Sequence, residues 1–425
     1  MKIVLLHTSA PFAKDSGAPL LRSLIPDDKT RNFVWCYADG RGADGVGGFR
    51  CEPVIIPDVG DDFPRPLRAF LFRAKLWGAV EAWSLKASVR AAADKLRGVI
   101  AREKPTHLWG VAHLSLVPVL DEVAGEFGGH VHLTIHDDPL YTLHKGGSRW
   151  PHKLRKVLET TYPRLLTRAD SIDVVSPGLA DHLRITYGVS SLVFYSTPKY
   201  PLNANPGPPT VADGFRVLVT GNWDCEREIA ALCDGLRLAE KRGVINRPQI
   251  IYLHYNRRTV RADDLPLFKF EEHRPERAAI ELARTCHLLY TPYRFDPRAE
   301  PLQATSFPSK VSMYLPACRP LLFHAPPSSS TVRFSRTAGF GLPWTTLRPE
   351  DLSPLLEEAT ASLGNMTEFS TRVARVADVY FNQGRNQSAL WSALEGGRGV
   401  VAGCAREGIL SREACEAAES FLRRA

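Results

Sequence analysis

The residues best suited to bind an anion lie in residues 306–315, Ser-Phe-Pro-Ser-Lys-Val-Ser-Met-Tyr-Leu. Pro308 fits the first turn of a helix, and Ser306 or Ser309 can cap that helix by accepting a hydrogen bond from a backbone amide. Lys310 then falls in the first turn, where the helix dipole is already positive. Unpaired amides, a hydroxyl and an ammonium together make an anion site, and a diphosphate is its natural occupant. An ordinary capped helix with a solvated lysine accounts for the same residues.

A second candidate site follows an apolar run of strand length at residues 130–135. His136 can donate a hydrogen bond to a ligand hydroxyl, and the neighbouring carboxylate of Asp137 can fix its tautomer. The same motif is explained equally well by a turn that Asp138, which precedes a proline, caps. His113, two residues past the preceding strand, is a further candidate.

The elements that must position these residues alternate between apolar runs of strand length and helical patterns. In the first half the predicted strands are residues 2–7, 33–37, 54–56, 107–111, 130–135 and 171–175. The helical patterns lie at residues 20–24, 66–102, 116–127 and 153–166, and from Pro177 onward. Alternation of this kind predicts a parallel sheet with crossover helices.

A segment dense in proline follows, because Pro198, Pro201, Pro206, Pro208 and Pro209 crowd together. Such density ends regular structure and spaces domains.

The pattern then restarts, with strands predicted at residues 216–220, 249–254, 287–291 and 320–324 and helices at 227–241, 275–284 and 308–315. We therefore predict an α/β protein with two Rossmann-like, doubly wound parallel-sheet domains. The predicted limits are an N-terminal domain at 1–197, a linker at 198–214, a C-terminal domain at 215–385 and a helical tail at 386–425.

The segment around Lys310 resembles the donor-binding element of the retaining GT-B glycosyltransferases of family four, P-S/T-K-x-x-E-Y-L-A-A-G-K-P. Two positions depart from that pattern, since Met313 stands where the family usually has a glutamate that binds the donor ribose, and Cys318 replaces the usual glycine. The positions that match are Lys310, Tyr314, Leu315, Ala317 and Pro320.

Residues 219–227 resemble the family's G-R-x-x-x-x-K turn, which opens the second domain. Gly221 matches the glycine, which lets the backbone approach a phosphate closely. Arg227 falls on the phosphate-binding lysine, and Asn222 stands where the family usually has the arginine. A charge on the surface of a helix is the alternative interpretation of Arg227.

Three further resemblances lie in the first half. The loop Ser16-Gly17-Ala18-Pro19 is similar to the family's glycine-containing loop near the donor phosphates and acceptor, although a simple turn explains Gly17 as well. His136-Asp137 matches the family's H-D, whose histidine faces the transferred sugar. Residues 169–189 resemble a strand and helix that mark the fold.

The resemblance implies transfer of a sugar from a nucleotide-diphosphate-sugar co-substrate, with retention, to a glycan, a lipid-linked molecule or another acceptor. Surface polysaccharide or glycoconjugate synthesis is the implied setting. Together with the positions of the residues, the resemblance gives the candidate site. The catalytic candidates are His136, Arg227 and Lys310; the donor contacts are Gly17, Gly221, Asn222, Ser306, Ser309 and Met313; the acceptor or sugar contacts are Asp137 and, from its position after a strand, His113. The sequence has no D-x-D motif suited to donor phosphates, so we expect neither a metal nor another cofactor.

Two alternatives remain open from the sequence. One is a nucleotide-sugar epimerase of the same fold, and the other is a catalytically inactive subunit that binds a nucleotide sugar. The departures at Met313 and Asn222 motivate the second.

The 425 residues carry a formal net charge of +8, with a hydrophobic fraction of 44%. Residues 65–104 hold ten basic and three acidic side chains, interleaved with aromatic ones such as Trp77 and Trp83. Such a surface can bind an anionic membrane, which flotation with anionic liposomes would test, although a solvated helix face is equally consistent.

Nucleic acid is not an expected partner, since the sequence has no RNP, helix-turn-helix or zinc-finger signature. The N-terminal apolar run is too short for a secretory signal, and no run reaches the length of a spanning helix. We expect a cytoplasmic protein, peripheral on the inner face of the plasma membrane.

Overall fold

The computed structural model describes residues 1–11, 17–38, 49–54, 77–143, 151–202, 207–209, 214–221, 225–253, 260–272 and 274–396. The chain forms two units, each built around one parallel sheet. The first unit comprises residues 1–194 and the helix that begins at Gln383, and the second comprises residues 195–382.

The sheet of the first unit has the strand order β3-β2-β1-β4-β5-β6-β7. Every strand pair is parallel, and all five residues of the central β1 are buried. Helices cover both faces of such a sheet, which is why its strands are continuous apolar runs. The strands are β1 (Ile3–His7), β2 (Phe33–Tyr37), β3 (Arg50–Pro53), β4 (His107–Val111), β5 (His130–Ile135), β6 (Ser171–Val174) and β7 (Leu192–Val193).

Seven described α-helices belong to the first unit. The second of them, α2, is the longest, and the last, α14, comes from the C-terminal part of the chain. They are α1 (Gly17–Leu24), α2 (Trp77–Glu103), α3 (Leu116–Ala124), α4 (Pro139–Thr142), α5 (Pro151–Arg168), α6 (Pro177–Tyr187) and α14 (Gln383–Gly396).

The sheet of the second unit has the order β10-β9-β8-β11-β12-β13 and is also parallel throughout. Its strands are β8 (Arg216–Thr220), β9 (Gln249–Leu253), β10 (Phe268–Glu271), β11 (Leu288–Pro292), β12 (Leu321–His324) and β13 (Leu342–Trp344). Its described α-helices are α7 (Glu226–Lys241), α8 (Glu276–Arg284), α9 (Glu300–Thr305), α10 (Lys310–Tyr314), α11 (Ser330–Ala338), α12 (Leu352–Gly364) and α13 (Met366–Tyr380).

Local sequence signals account for the ends of α6. Ser176 has extended backbone and its side chain accepts a hydrogen bond from the amide of Leu179, while Pro177 occupies the first helical position. At the other end, Gly188 adopts a left-handed conformation with φ 70. A serine cap, a proline at the start and a glycine at the end are local signals from which the ends of a helix can be predicted. The predicted start at Pro177 is confirmed.

Three short strands at or near the sheet edges were not predicted from the sequence. Leu192–Val193 has only two residues, while Phe268–Glu271 and Leu342–Trp344 form the two edges of the second sheet. Pro343 is tolerated in the last of these because an edge strand has amides that need no partner.

The strand described in this region lies just before the predicted one at residues 54–56, of which only Val54 is described. The strand lies at Arg50–Pro53, where Cys51 pairs with Trp35 of β2. Residues 55 and 56 lie outside the described residues.

The first residues of the predicted helical tail fold with the first unit. Helix α14 packs against α1, and the side-chain amide of Gln387 donates to the carbonyl of Ser23 over 3.0 Å. Leu390 and Leu394 are buried in the same hydrophobic cluster as Ile3 of β1. Residues 397–425 lie outside the described residues.

Within the described residues, no helix combines the length and the apolar composition that crossing a membrane requires.

Cys318, which replaces the glycine of the resembling pattern, has a left-handed backbone. It follows a 3-10 turn at Leu315–Ala317 and has φ 51 and ψ 58. A left-handed conformation costs a residue with a side chain about 1–2 kcal/mol, whereas glycine adopts it freely. The backbone at position 318 is therefore one that glycine would adopt without this cost.

Replacing Cys318 with glycine should leave the protein more stable than replacing it with alanine, by about 1 kcal/mol. Both changes remove the thiol, but only glycine relieves the left-handed backbone. Cys286 is the control, because it is also buried and is not among the residues with positive φ, so alanine should be more stable than glycine there. Urea unfolding of the four variants measures the difference. Equal stability of the two variants at position 318 would contradict the account.

Candidate active site

A lysine side chain lies directly against a glycine at the carboxyl edge of the second sheet. Gly221 follows the last residue of β8 and has φ 91. A Cβ atom built on Gly221 would lie 1.6 Å from Nζ of Lys310 and 2.5 Å from its Cε. No residue other than glycine could therefore occupy position 221 with Lys310 in this place. In open parallel sheets this edge is where ligands bind.

Helix α10 holds Lys310 in this position through a tyrosine. The hydroxyl of Tyr314 lies 2.7 Å from Oγ1 of Thr220, the last residue of β8, and both side chains are buried. The backbone amide of Gly221 donates to the carbonyl of Leu253 at the end of β9. The glycine turn and the lysine helix are thus both fixed to the ends of neighbouring strands.

Burial lowers the pKa of Lys310 to about 8, and the neighbouring Cys225 opposes this shift. An ammonium that has lost its hydration is stabilised by a nearby negative charge. The position of this lysine therefore favours an anionic ligand.

The predicted capped helix at residues 308–315 was wrong in its details. The helix begins at Lys310 and spans five residues, because Pro316 cannot continue it and a 3-10 turn follows. Ser309 occupies the cap position, but its side chain makes no capping hydrogen bond. The anion-binding feature that remains is the ammonium of Lys310, and a single helical turn contributes little dipole of its own.

Ser306 is involved in contacts that hold the segment before α10. Its Oγ lies 3.2 Å from the hydroxyl of Tyr293, and its carbonyl accepts a hydrogen bond from Ser330. Met313 is half-buried in α10, three residues after Lys310. Whether Met313 contacts a donor stays a prediction.

Arg227 lies in the first turn of α7, the helix that begins five residues after Gly221. Its side chain is exposed. Arg227 and Lys310 therefore lie at the same carboxyl edge of the second sheet, one after β8 and the other between β11 and β12. Asn222 lies outside the described residues.

Glu228, next to Arg227, is a buried carboxylate that the sequence motifs do not predict. Its side chain accepts a hydrogen bond of 2.6 Å from the amide of Phe295, which follows β11. The helical period gives the signal that was overlooked, because Glu228 falls on the same face of α7 as the buried Leu232.

In the first unit, histidines gather at the carboxyl ends of neighbouring strands. The ring centroids of His7, at the end of β1, and His136, just after β5, are 6.5 Å apart. Burial, together with His7 and His113, lowers the pKa of His136 to about 3. Its buried Nε2 makes no hydrogen bond to any described residue. A neutral imidazole with an unused ring nitrogen is suited to hydrogen bonding with a ligand hydroxyl.

The aspartates after His136 divide into one half-buried and one buried residue. Asp138 caps α4 by accepting from the amide of Leu140, and it also lies 3.0 Å from Nε2 of His182. The interpretation of Asp138 as a turn cap is therefore confirmed. Asp137 is half-buried, and whether it contacts a ligand stays a prediction.

The remaining candidates of the first unit occupy less specific positions. His113 is exposed after β4. Gly17 is the first residue of α1, a helix rather than the loop that the sequence predicted, and residues 12–16 lie outside the described residues. Groups of three or more histidine, cysteine, aspartate or glutamate side chains that could hold a metal ion do not occur in the described part of the chain.

Solved structures with the same architecture cover nearly the whole chain. HepE of Anabaena in complex with UDP-glucose matches with a TM-score of 0.59 and 13% identity, over 93% of this chain and 99% of that one. Sucrose-phosphate synthase from Thermosynechococcus elongatus matches with 0.59 and 13%, over 95% and 99%. The OtsA apo structure matches with 0.60 and 12%, over 93% and 99%. These neighbours are GT-B glycosyltransferases.

The chain has the GT-B fold. Two parallel sheets of seven and six strands confirm the predicted pair of Rossmann-like domains. No protein-family model matches the chain, and no curated protein matches its sequence. At identities of 12–13% the structural likeness establishes the fold alone, so the activity of this GT-B chain has to be argued from its own residues.

We predict that a nucleoside diphosphate binds at Lys310 and that Gly221→Ala abolishes this binding, because the added methyl group displaces the ammonium of Lys310. Gly243→Ala is the matched control: Gly243 also has positive φ, at 72, but a Cβ there meets nothing within 4 Å. Both variants carry the same kind of backbone strain. Calorimetric titration should show the loss at position 221 only, and equal binding by the two variants would refute the role of the contact.

Proposed function

We propose that the protein is a glycosyltransferase that transfers a sugar from a nucleotide-diphosphate-sugar donor. The observation that carries the proposal is the ammonium of Lys310 against Gly221 at the carboxyl edge of a parallel sheet. Solved complexes of HepE with UDP and with UDP-glucose add support, because they combine the same fold with such a ligand.

In the proposed reaction the second unit holds the donor and stabilises its leaving group. Lys310 and Arg227 face the charge that grows on the diphosphate as its bond to the sugar breaks, and fixed cations at that place lower the barrier. Gly221 brings the backbone close to the phosphates, and Ser306, Ser309 and Asn222 are the further proposed donor contacts. Transfer proceeds with retention and without a metal, and the diphosphate itself takes the proton of the acceptor hydroxyl.

His136 has a different proposed role, as a neutral hydrogen-bonding partner of the transferred sugar. With its pKa lowered to about 3, its ring is uncharged near neutral pH and does not act as an imidazolium acid. Its unused Nε2 can instead form a hydrogen bond to a sugar hydroxyl. Asp137, the next residue, and His113, which affects the pKa of His136, are the further proposed sugar or acceptor contacts.

A glycan, lipid-linked or other acceptor, at an anionic membrane surface, is the proposed second substrate. Helix α2 contributes one observation, since Trp83 is 64% exposed among basic side chains such as Lys86 and Arg90. An exposed tryptophan beside lysine and arginine is typical of surfaces that bind at a membrane interface.

The proposal predicts that a nucleoside diphosphate raises the melting temperature of the protein, since a ligand that binds only the folded state stabilises it. The panel is UDP, GDP, CDP, ADP and dTDP with their common sugar conjugates. Lys310→Met should abolish the shift, whereas Lys241→Met, at the exposed end of α7, should keep it. Absence of any shift in the wild type would contradict the proposal.

Product analysis of the sugar that binds then separates three activities. A glycosyltransferase forms a new glycoside only when an acceptor glycan is present, and it does so in EDTA if no metal is needed. An epimerase converts the donor alone, and an inactive subunit binds without turnover. Conversion of the donor alone would identify an epimerase, and binding without turnover would identify an inactive subunit. Either result would contradict the proposed transferase activity.

A further inference from the structure

Glu228 is a buried carboxylate that forms no ion pair with any described residue, and it lies next to the exposed Arg227. It is 2% exposed, and the hydrogen bond from the amide of Phe295 is the one that its side chain makes within the described ranges. Burying a carboxylate without a cation is costly, and a charge-assisted bond to an amide offsets part of that cost. The placement of Glu228 therefore calls for a role beyond packing.

The backbone of Glu228 also contacts a side chain of β11. The hydroxyl of Tyr290, in β11, lies 3.2 Å from the carbonyl of Glu228 and 2.7 Å from Nδ1 of His324. Nε2 of that histidine lies 2.7 Å from the carbonyl of Thr346, to which it must donate. Nδ1 of this neutral ring is then the acceptor, so the single phenolic proton of Tyr290 goes to His324. The carbonyl of Glu228 lies beside the same hydroxyl, and the first turn of α7 thus packs against β11.

The partner of Glu228 belongs to the stretch of chain that leads to Lys310. Phe295 lies three residues after β11, and Tyr293 in the same stretch contacts Ser306 through its hydroxyl. Ser306 comes four residues before Lys310. Two contacts in series, from Glu228 to Phe295 and from Tyr293 to Ser306, therefore connect the helix that carries Arg227 with the segment just before Lys310.

We propose that Glu228 is a positioning residue that sets the separation of Arg227 and Lys310 through the amide of Phe295, so that both cations contact one nucleoside diphosphate. The inference rests on the proposed function and deepens it, because it names a residue that acts on the donor through its two neighbours. Glu228 is only 2% exposed, so its proposed action on the ligand is indirect.

The test is calorimetric titration with UDP, or with whichever nucleoside diphosphate of the panel binds. Glu228→Ala removes the acceptor and should weaken binding about tenfold or more, the size of effect expected when positioning of a charged contact is lost. Glu228→Gln keeps an oxygen that can accept from Phe295 and should bind within about threefold of the wild type. If the alanine variant does not fold, Glu228→Asp carries the test, since its shorter side chain withdraws the acceptor and should lower affinity.

A double-mutant cycle separates positioning from a general loss of structure. In an Arg227→Ala background, Glu228→Ala should cost no more than about twofold further, because the residue it positions is gone. Asp264→Asn is the control: Asp264 is also a buried carboxylate of the second unit, held by Arg237 and Arg261, so its loss should lower the melting temperature and leave UDP affinity unchanged.

The outcomes distinguish the two proposals. If the wild type binds no nucleoside diphosphate, the proposed function fails and the role of Glu228 falls with it. If the wild type binds and Glu228→Ala binds equally well, or its effect adds fully to that of Arg227→Ala, the positioning role alone is overturned.

Discussion

The close approach of an ammonium to a glycine backbone is the constraint on which the candidate site depends. Lys310 can lie at the end of β8 because position 221 has no side chain, and because φ 91 there is a conformation that glycine adopts freely. Tyr314 and Thr220 lock the arrangement by joining α10 to β8. The result is a partly desolvated cation at the edge of a parallel sheet, a place where the ends of several strands concentrate polar groups.

The architecture of each unit could be predicted from the sequence because its central strands are continuous apolar runs bounded by turn residues. β1, β4, β5 and β8 lie close to where their patterns place them. The edges could not be predicted in the same way. Phe268–Glu271 alternates over only four residues, and Leu342–Trp344 contains a proline that local rules count against a strand.

The candidate site was predictable in part, because motifs carry residue types but not their partners. Gly221 and Lys310 belong to separate motifs of the sequence, and only the fold shows that the side chain of Lys310 lies against Gly221. Motifs could not predict the role of Glu228, because its hydrogen-bond partner is the amide of Phe295, 67 residues away in the sequence. The shortness of α10 was missed for a similar reason, since Pro316 follows a pattern that otherwise favours a helix.

In the proposed function Lys310 contacts the diphosphate of the donor. Proton uptake by the protein on binding UDP tests this contact most directly. With a pKa of about 8 the lysine is mostly uncharged at pH 9, and a bound diphosphate, itself fully ionised there, raises that pKa. Calorimetric titration with UDP at pH 9, in two buffers of different ionisation enthalpy, should show uptake of most of one proton by the wild type. No uptake should occur at pH 7, where Lys310 is already charged, and none in Lys310→Met at either pH. Binding by the wild type at pH 9 without proton uptake, or equal uptake by Lys310→Met, would contradict the claim.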